Sequence, residues 1–156
     1  MLFSKYVHVT VGFAMATMVA CWPSDALSQA APQTRSATVD ASVDVPATGE
    51  RAQLTGTATV NATVAAQDGL HYRMSYGCDV AGHGRGDASG DDYAMIGHTT
   101  STVVFDGPLP TAVAASCAVE LTEGTATQRY DIAVEVSVLP DGTVGAAIVR
   151  QVVATR

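Results

Sequence analysis

Two segments of alternating polarity, each carrying one cysteine, constrain this chain more than any other feature. In Leu70–Cys78 the even positions are apolar or cysteine, and the odd positions are polar or glycine. The segment Val113–Leu121 alternates similarly, with Cys117 on its more apolar face. A period of two is typical of a β-strand with one buried face. We therefore predict two strands whose inner faces are joined by a Cys78–Cys117 disulfide.

The first thirty residues have the pattern of a secretion signal. A basic start ending at Lys5 precedes an apolar run over 7–20, which is too short to span a bilayer. Ser28-Gln29-Ala30 then offers the small residues that a signal peptidase reads. The alternative route is lipidation of Cys21, because Met18-Val19-Ala20-Cys21 resembles a bacterial lipobox.

This pattern predicts a signal-peptide helix over residues 1–30, a linker over 31–36 and one domain over 37–156. The expected location is periplasmic or secreted, or alternatively a membrane-anchored lipoprotein. Cys78 and Cys117 would then reach an oxidising compartment, which favours a disulfide. Their separation of 39 residues corresponds to about 4 kcal/mol in the loop-entropy model. A metal site is the competing use of two cysteines, but no CxxC spacing occurs.

The net charge of the chain limits the classes of partner that we expect it to bind. Without residues 1–30 it keeps seven arginines and fourteen carboxylates, a net charge of −7, and no lysine. Such an acidic chain without a basic cluster does not bind nucleic acid or anionic lipid surfaces, and we expect no membrane insertion of the mature domain. The excess of arginine over lysine and the many alanines suggest a bacterial source.

The remaining pattern indicates an all-β fold. Seven strand candidates are separated by turns, such as Pro140-Asp141-Gly142, and no helical period follows the signal. The candidates are 37–45, 52–65, 70–78, 99–105, 111–121, 129–139 and 143–153. Strand number and spacing predict an antiparallel β-sandwich, Ig-like or related, with a small barrel as the alternative. The last candidate is apolar on both faces, which predicts a central or covered strand.

Residues 79–98 form the one long stretch that we predict to be irregular, because it holds many glycines and aspartates. Long loops in small domains are often functional. We therefore expect the contact surface there, with the candidates His83, Arg85, Asp87, Asp91, Asp92 and Tyr93. His83 and His98 are weak candidates for metal ligands, and Asp87, Asp91 and Asp92 for calcium, but neither set has the spacing of a ligand motif. We expect no cofactor.

A row of threonines offers a second candidate surface. Thr55, Thr57, Thr59 and Thr63 alternate with the buried positions of one strand, with Asn61 between them. Such a row could face ice or a glycan, or could simply be the solvated side of a sheet.

Catalytic motifs are absent from the sequence, so we predict no enzyme and no catalytic residue. The absence of lysine past residue 30 excludes Ser–Lys pairs and Schiff bases there, and no GxSxG or HExxH motif occurs. A His–carboxylate pair acting as a general base is the remaining catalytic alternative.

Two short motifs, Tyr76-Gly77-Cys78-Asp79 and Ser89-Gly90-Asp91-Asp92-Tyr93, resemble elements of the C-type lysozyme inhibitors of bacterial envelopes, although they lie closer together here. We predict a non-enzymatic protein that binds an envelope or extracellular protein or glycan. The alternatives are a pilin-like or adhesin subunit that lends strand 37–45 or 143–153 to a neighbour, and an enzyme inhibitor or metal-binding protein that uses residues 79–98.

Overall fold

The computed structural model of the chain describes residues 31–155, which form seven β-strands and no helix. The strands are β1 (Gln33–Val45), β2 (Glu50–Asp68), β3 (His71–Gly86), β4 (Asp92–Asp106), β5 (Thr111–Glu123), β6 (Ala126–Val138) and β7 (Val144–Ala154). The predicted all-β class with about seven strands is confirmed. The predicted signal helix and the lipidation candidate Cys21 lie outside the described residues.

All seven strands belong to one sheet in which each strand pairs antiparallel with its neighbour in sequence. The first and last strands also meet. The Val144 N–H donates to Gln33 Oε1 at 2.7 Å, and Arg35 Nε donates to the Gly145 carbonyl at 2.6 Å. The result is a nearly closed, barrel-like sheet, whereas an Ig-like sandwich was predicted. Short turns join all the strands, so each strand pairs with the one before it and none crosses to a second sheet.

The sheet is incomplete between β4 and β5. These strands pair only where Ala94–Ile96 faces Glu120–Thr122. At the next position, a Cβ on Gly97 would lie 2.9 Å from Val119 Cα, so the two backbones touch there without pairing. Beyond Gly97 the Ala118 N–H of β5 still donates to Thr99 Oγ1 at 2.8 Å, but the ladder does not resume and no strand pairs with the second half of β4 on that side.

The disulfide joins the two sides of this gap. Cys78 of β3 and Cys117 of β5 are bonded, with their Cα atoms 5.7 Å apart, and both side chains are fully buried. The predicted Cys78–Cys117 disulfide is confirmed. The predicted alternation is also confirmed, since Met74 and Val119 lie with the two cysteines in a single core. The bond therefore links strands that share no backbone ladder.

The predicted loop over 79–98 is mostly strand. β3 continues to Gly86 and β4 begins at Asp92, which leaves a turn over 87–91. The glycines that suggested irregularity serve close packing instead. A Cβ on Gly82 would lie 2.7 Å from Gly56 Cα, and one on Gly84 would lie 2.7 Å from Leu54 Cδ2. Glycine within a strand commonly marks such a close approach.

Two further expectations differ from the structure. β1 begins at Gln33, so residues 33–36 of the predicted linker pair with β2. β7 was expected to be central or covered, but it lies at the end of the strand order beside β1. Its residues Ile148 and Val153 remain about half exposed. Their apolar character therefore does not come from burial within the described chain.

Candidate functional site

Part of the outer face of β1–β4 is an uncharged polar surface, bordered by Arg73 on one side and by Asp79 and His98 on the other. Three rows of side chains cross the strands there, because the register places Asn61 opposite Gly77 and Gly77 opposite Thr100. We call this surface the hydroxyl patch; its side chains are Thr34, Ser36, Thr59, Asn61, Thr63, Ser75, Thr100 and Thr102. Two cross-strand contacts tie it together, Ser36–Thr59 and Ser75–Thr102, each with hydroxyl oxygens 3.3 Å apart.

An open groove lies within the hydroxyl patch. Its volume is about 520 Å³, and no charged side chain lines it. The groove exists because Gly77 has no side chain in the middle of the patch, and a Cβ added there would meet no heavy atom within 4 Å. The lining residues are Pro32, Asn61, Thr63, Ser75, Tyr76, Gly77, Thr100, Ser101 and Thr102. Thr59, Asn61 and Thr63 of the predicted threonine row thus form one column of a surface spanning four strands, whereas Thr55 and Thr57 lie outside it.

The turn over 87–91 is held by one carboxylate, that of Glu50, the first residue of β2. Glu50 accepts the Ser89 N–H at 3.1 Å, the Ser89 hydroxyl at 3.0 Å and the Tyr93 hydroxyl at 2.7 Å. The Tyr93 hydroxyl, followed by the Ser89 N–H, lowers the pKa of Glu50 to about 2. Hydrogen bonds to the charged form explain this direction. The predicted contact loop is therefore a short turn that is anchored to the body of the sheet.

The predicted contact residues occupy three kinds of position. His83 and Arg85 are exposed on the outer face of β3, and Asp92 lies opposite Arg85 on β4. Asp87 and Asp91 belong to the turn. The side chain of Tyr93 is only 3% exposed and packs in the core, so it offers little surface to a partner.

The same end of the sheet has a groove and a concentration of acid groups. A groove of about 590 Å³ runs beside His83, Asp92 and Thr122. Partial loss of solvation and the neighbouring Asp91 carboxyl raise the pKa of Glu123. This charged end is the second candidate surface.

His83 and His98 do not form a metal site together. His83 lies opposite Ala94, whereas His98 lies opposite Asp79, four residues further along β3. At about 3.3 Å per residue, this spacing separates the two rings by roughly 13 Å along the strand. Within residues 31–155, no group of three or more His, Cys, Asp or Glu side chains could hold a metal ion.

The structure contains two histidine–carboxylate pairs that were not predicted from the sequence. His98 Nδ1 lies 2.6 Å from Asp79 Oδ1, and His71 Nδ1 lies 2.6 Å from Asp106 Oδ1. The hydrogen bond to Asp106 and the charge of Asp68 raise the pKa of His71. The partners are 19 and 35 residues apart in the chain, so only the β3–β4 register brings them together.

Comparisons with protein-family models, with curated proteins and with solved structures give no match for this chain. In the part of the chain that the structure describes, no helix has the length and apolar character of a membrane span.

Proposed function

We propose that this protein is exported and, without being an enzyme, binds a neutral polyhydroxylated ligand, such as an envelope or extracellular glycan, through the hydroxyl patch. The observation that carries the proposal is the uncharged groove of about 520 Å³ around Gly77, in a chain with a net charge of −7. An acidic protein gains selectivity for neutral ligands if its binding surface carries no charge, because no ion pair has to be desolvated.

The chemistry of the patch suits sugar hydroxyls. Every threonine and serine hydroxyl can both donate and accept a hydrogen bond, and the Asn61 amide can do both as well. Only two hydroxyl pairs are used within the patch, Ser36–Thr59 and Ser75–Thr102, and each retains further bonding capacity. The groove supplies the concave shape that small ligands require.

The composition of the groove also sets the expected affinity. Its only aromatic lining residue is Tyr76, which is 6% exposed, so a sugar ring has little aromatic surface on which to stack. Water competes with each exposed hydrogen bond, which leaves a net gain of about 1 kcal/mol or less. Binding to one sugar unit is therefore weak, and the natural ligand is a polymer that engages several proteins or sites at once.

Ice, the other ligand suggested by the threonine row, fits the patch less well. An ice surface requires a flat array, whereas strands in a nearly closed sheet are twisted relative to one another. The depression at Gly77 interrupts the array further. Both features favour a flexible polysaccharide over a crystal face.

The decisive variant is Gly77→Val. A Cβ at this position meets no heavy atom within 4 Å and valine suits a strand, so the variant should fold. Its branched side chain projects into the middle of the groove, so binding to insoluble neutral polysaccharides should fall at least tenfold. Arg85→Ala, at the charged end of the same strand, serves as the matched control and retains binding. Sedimentation assays across neutral polysaccharides, with thermal unfolding as the folding check, measure both effects.

The charged end is the second candidate site, with His83, Arg85, Asp87, Asp91 and Asp92 as its exposed residues. The groove of about 590 Å³ beside His83 favours it, as does the anchoring of the turn by Glu50. Its ligand would be a protein partner with complementary charge. If Arg85→Ala abolishes partner binding while Gly77→Val has no effect, the site lies at this end and the hydroxyl-patch proposal is wrong.

A further inference from the structure

The second half of β4 is an open strand edge. The ladder to β5 ends at Ile96, and β4 continues to Asp106 paired only with β3. Alternate residues of a strand direct their N–H and C=O groups to opposite neighbours. The Gly107 N–H donates to the Leu70 carbonyl, so the odd positions bond to β3. The even positions, including Thr100, Thr102 and Val104, therefore present their backbone groups to the open side.

Side chains occupy parts of the other strand edges in the described part of the chain. The Tyr76 hydroxyl accepts the Ser116 N–H at 2.9 Å and donates to the Ser116 carbonyl at 3.1 Å, which covers the β5 edge. At the β1–β7 seam, Gln33 and Arg35 bond to the backbone of β7. No side chain among residues 31–155 bonds to the backbone of 98–106. Natural proteins rarely leave such an edge without protection.

The sequence of this edge favours pairing. Residues 99–105 read Thr-Thr-Ser-Thr-Val-Val-Phe, without a charge, a proline or a glycine. β-Branched and aromatic residues of this kind are enriched in strands. The only charged or titratable side chains, His98 and Asp106, stand at the two ends of the segment. An antiparallel strand with the same sequence would place a carboxylate opposite the histidine at each end.

We propose that the open edge of β4 pairs antiparallel with the same edge of a second copy of this chain, with the two-fold axis at Thr102. In this register His98 lies opposite Asp106 of the second copy, and Asp106 lies opposite His98 of the second copy. The pairing uses all nine residues of 98–106. Antiparallel geometry then supplies about ten interchain backbone hydrogen bonds, two for each pair of even positions.

The charges select this register over its neighbours. A shift by two residues would also match the backbone groups, but in one direction it would place Asp106 opposite Ile96, which already pairs with β5. In the other direction it would place Asp106 opposite Thr100 and leave His98 without a carboxylate across the interface. In the proposed register, side-chain atoms that make no hydrogen bond within one copy face each other across the interface. His98 contacts Asp79 through Nδ1 and so keeps Nε2 free, while Asp106 contacts His71 through Oδ1 and keeps Oδ2 free. A row of alternating charge, Asp79–His98–Asp106–His71, would then cross the interface twice.

The resulting dimer is symmetric and closed, because one edge is used by both copies. It differs from the strand exchange suggested by the sequence, since no strand leaves its own sheet. The contact is a single strand pair, so its area is at the small end for protein interfaces and we expect a dissociation constant in the micromolar range or weaker. Thr100 and Thr102 of this edge also line the groove of the hydroxyl patch, so the dimer is tested without any glycan present.

Engineered cysteines test the register on the purified full chain. Residues facing each other across a hydrogen-bonded pair have Cα atoms about 5.5 Å apart, within the range for a disulfide. Thr102→Cys should therefore cross-link to its own copy under mild oxidation. Thr100→Cys, equally exposed but opposite Val104 of the second copy, should cross-link at least tenfold more slowly. Equal rates for the two variants would overturn the proposed axis.

Edge variants test the dimer itself, with sedimentation velocity in the absence of any glycan. Thr102→Pro removes two interchain hydrogen bonds and none to β3, so the dissociation constant should rise roughly thirtyfold. Thr102→Lys places like charges at the axis and should also give monomer, whereas Thr57→Lys, the same change away from the edge, should leave the dimer intact. A wild-type chain that stays monomeric up to about 1 mM, or a dimer that Thr102→Lys leaves intact, refutes the proposal.

Discussion

Loss of the Cys78–Cys117 disulfide should lower the free energy of unfolding by about 4 kcal/mol. The bond closes a loop of 39 residues, and the loop-entropy relation for that length gives roughly 13 cal/mol/K, or about 4 kcal/mol at 25 °C. Single domains have only about 5–15 kcal/mol in total. The bond also joins β3 to β5 at the gap where β4 leaves β5, so no backbone ladder replaces it there. Most of the disulfide's entropic contribution should therefore appear in the measured free energy of unfolding.

Urea unfolding followed by circular dichroism measures this loss in two ways. Reduction of the wild-type protein keeps both sulfur atoms in the core and should cost about 4 kcal/mol. The double variant Cys78→Ala/Cys117→Ala also removes buried sulfur and should cost a further ~1 kcal/mol or more, because cavities remain. A loss below ~1 kcal/mol in both cases, with an unchanged dependence on urea, would show that the β3–β5 contact holds without a cross-link.

Three other predictions follow from the packing and hydrogen bonds. Gly82→Ala should destabilise the protein by ~1–3 kcal/mol, because the new Cβ meets the backbone of β2, whereas Gly77→Ala on the same strand should be neutral or stabilising by up to ~1 kcal/mol; thermal unfolding distinguishes them. Tyr76→Phe should lower the free energy of unfolding, measured by urea unfolding, by ~1–3 kcal/mol, because both backbone groups of Ser116 lose their partner. Because the folded-state pKa of Glu50 is lowered from 4.5 to about 2, its contribution to the free energy of unfolding is present above pH 4.5 and is lost as the pH falls towards 2. The free energy of unfolding should therefore depend less on pH in this window in Glu50→Gln, and an unchanged slope would contradict the assignment.

The strand pattern was predictable because burial of one face is a local property. Alternation in β3 and β5 placed Cys78 and Cys117 on buried faces, and the structure confirms both the strands and their bond. Turn residues located most of the strand ends for a similar reason, since proline and glycine restrict or free the backbone where they occur.

The candidate site was less predictable, because the same residue types have different uses in different surroundings. Gly82 and Gly84 were interpreted as signs of a loop, yet they lie in β3, where the β2 backbone beside Gly82 and the Leu54 side chain beside Gly84 leave no room for a side chain. Tyr93 looked like a surface residue beside aspartates, but its ring fills the core and its hydroxyl reaches Glu50. Neither outcome can be read from neighbours in the sequence, because the deciding atoms are 26 to 43 residues away in the chain.

For this protein, the sequence alone determined that the body is β-structure, that its inner faces are apolar and that two cysteines lie on those faces, because each follows from the period of a single strand. Only the tertiary structure decided that the strands form one nearly closed sheet, that a groove opens at Gly77 and that the edge of β4 stays unpaired. These features depend on register and on how closely two backbones approach. Both are set by contacts between distant segments, which no local pattern encodes.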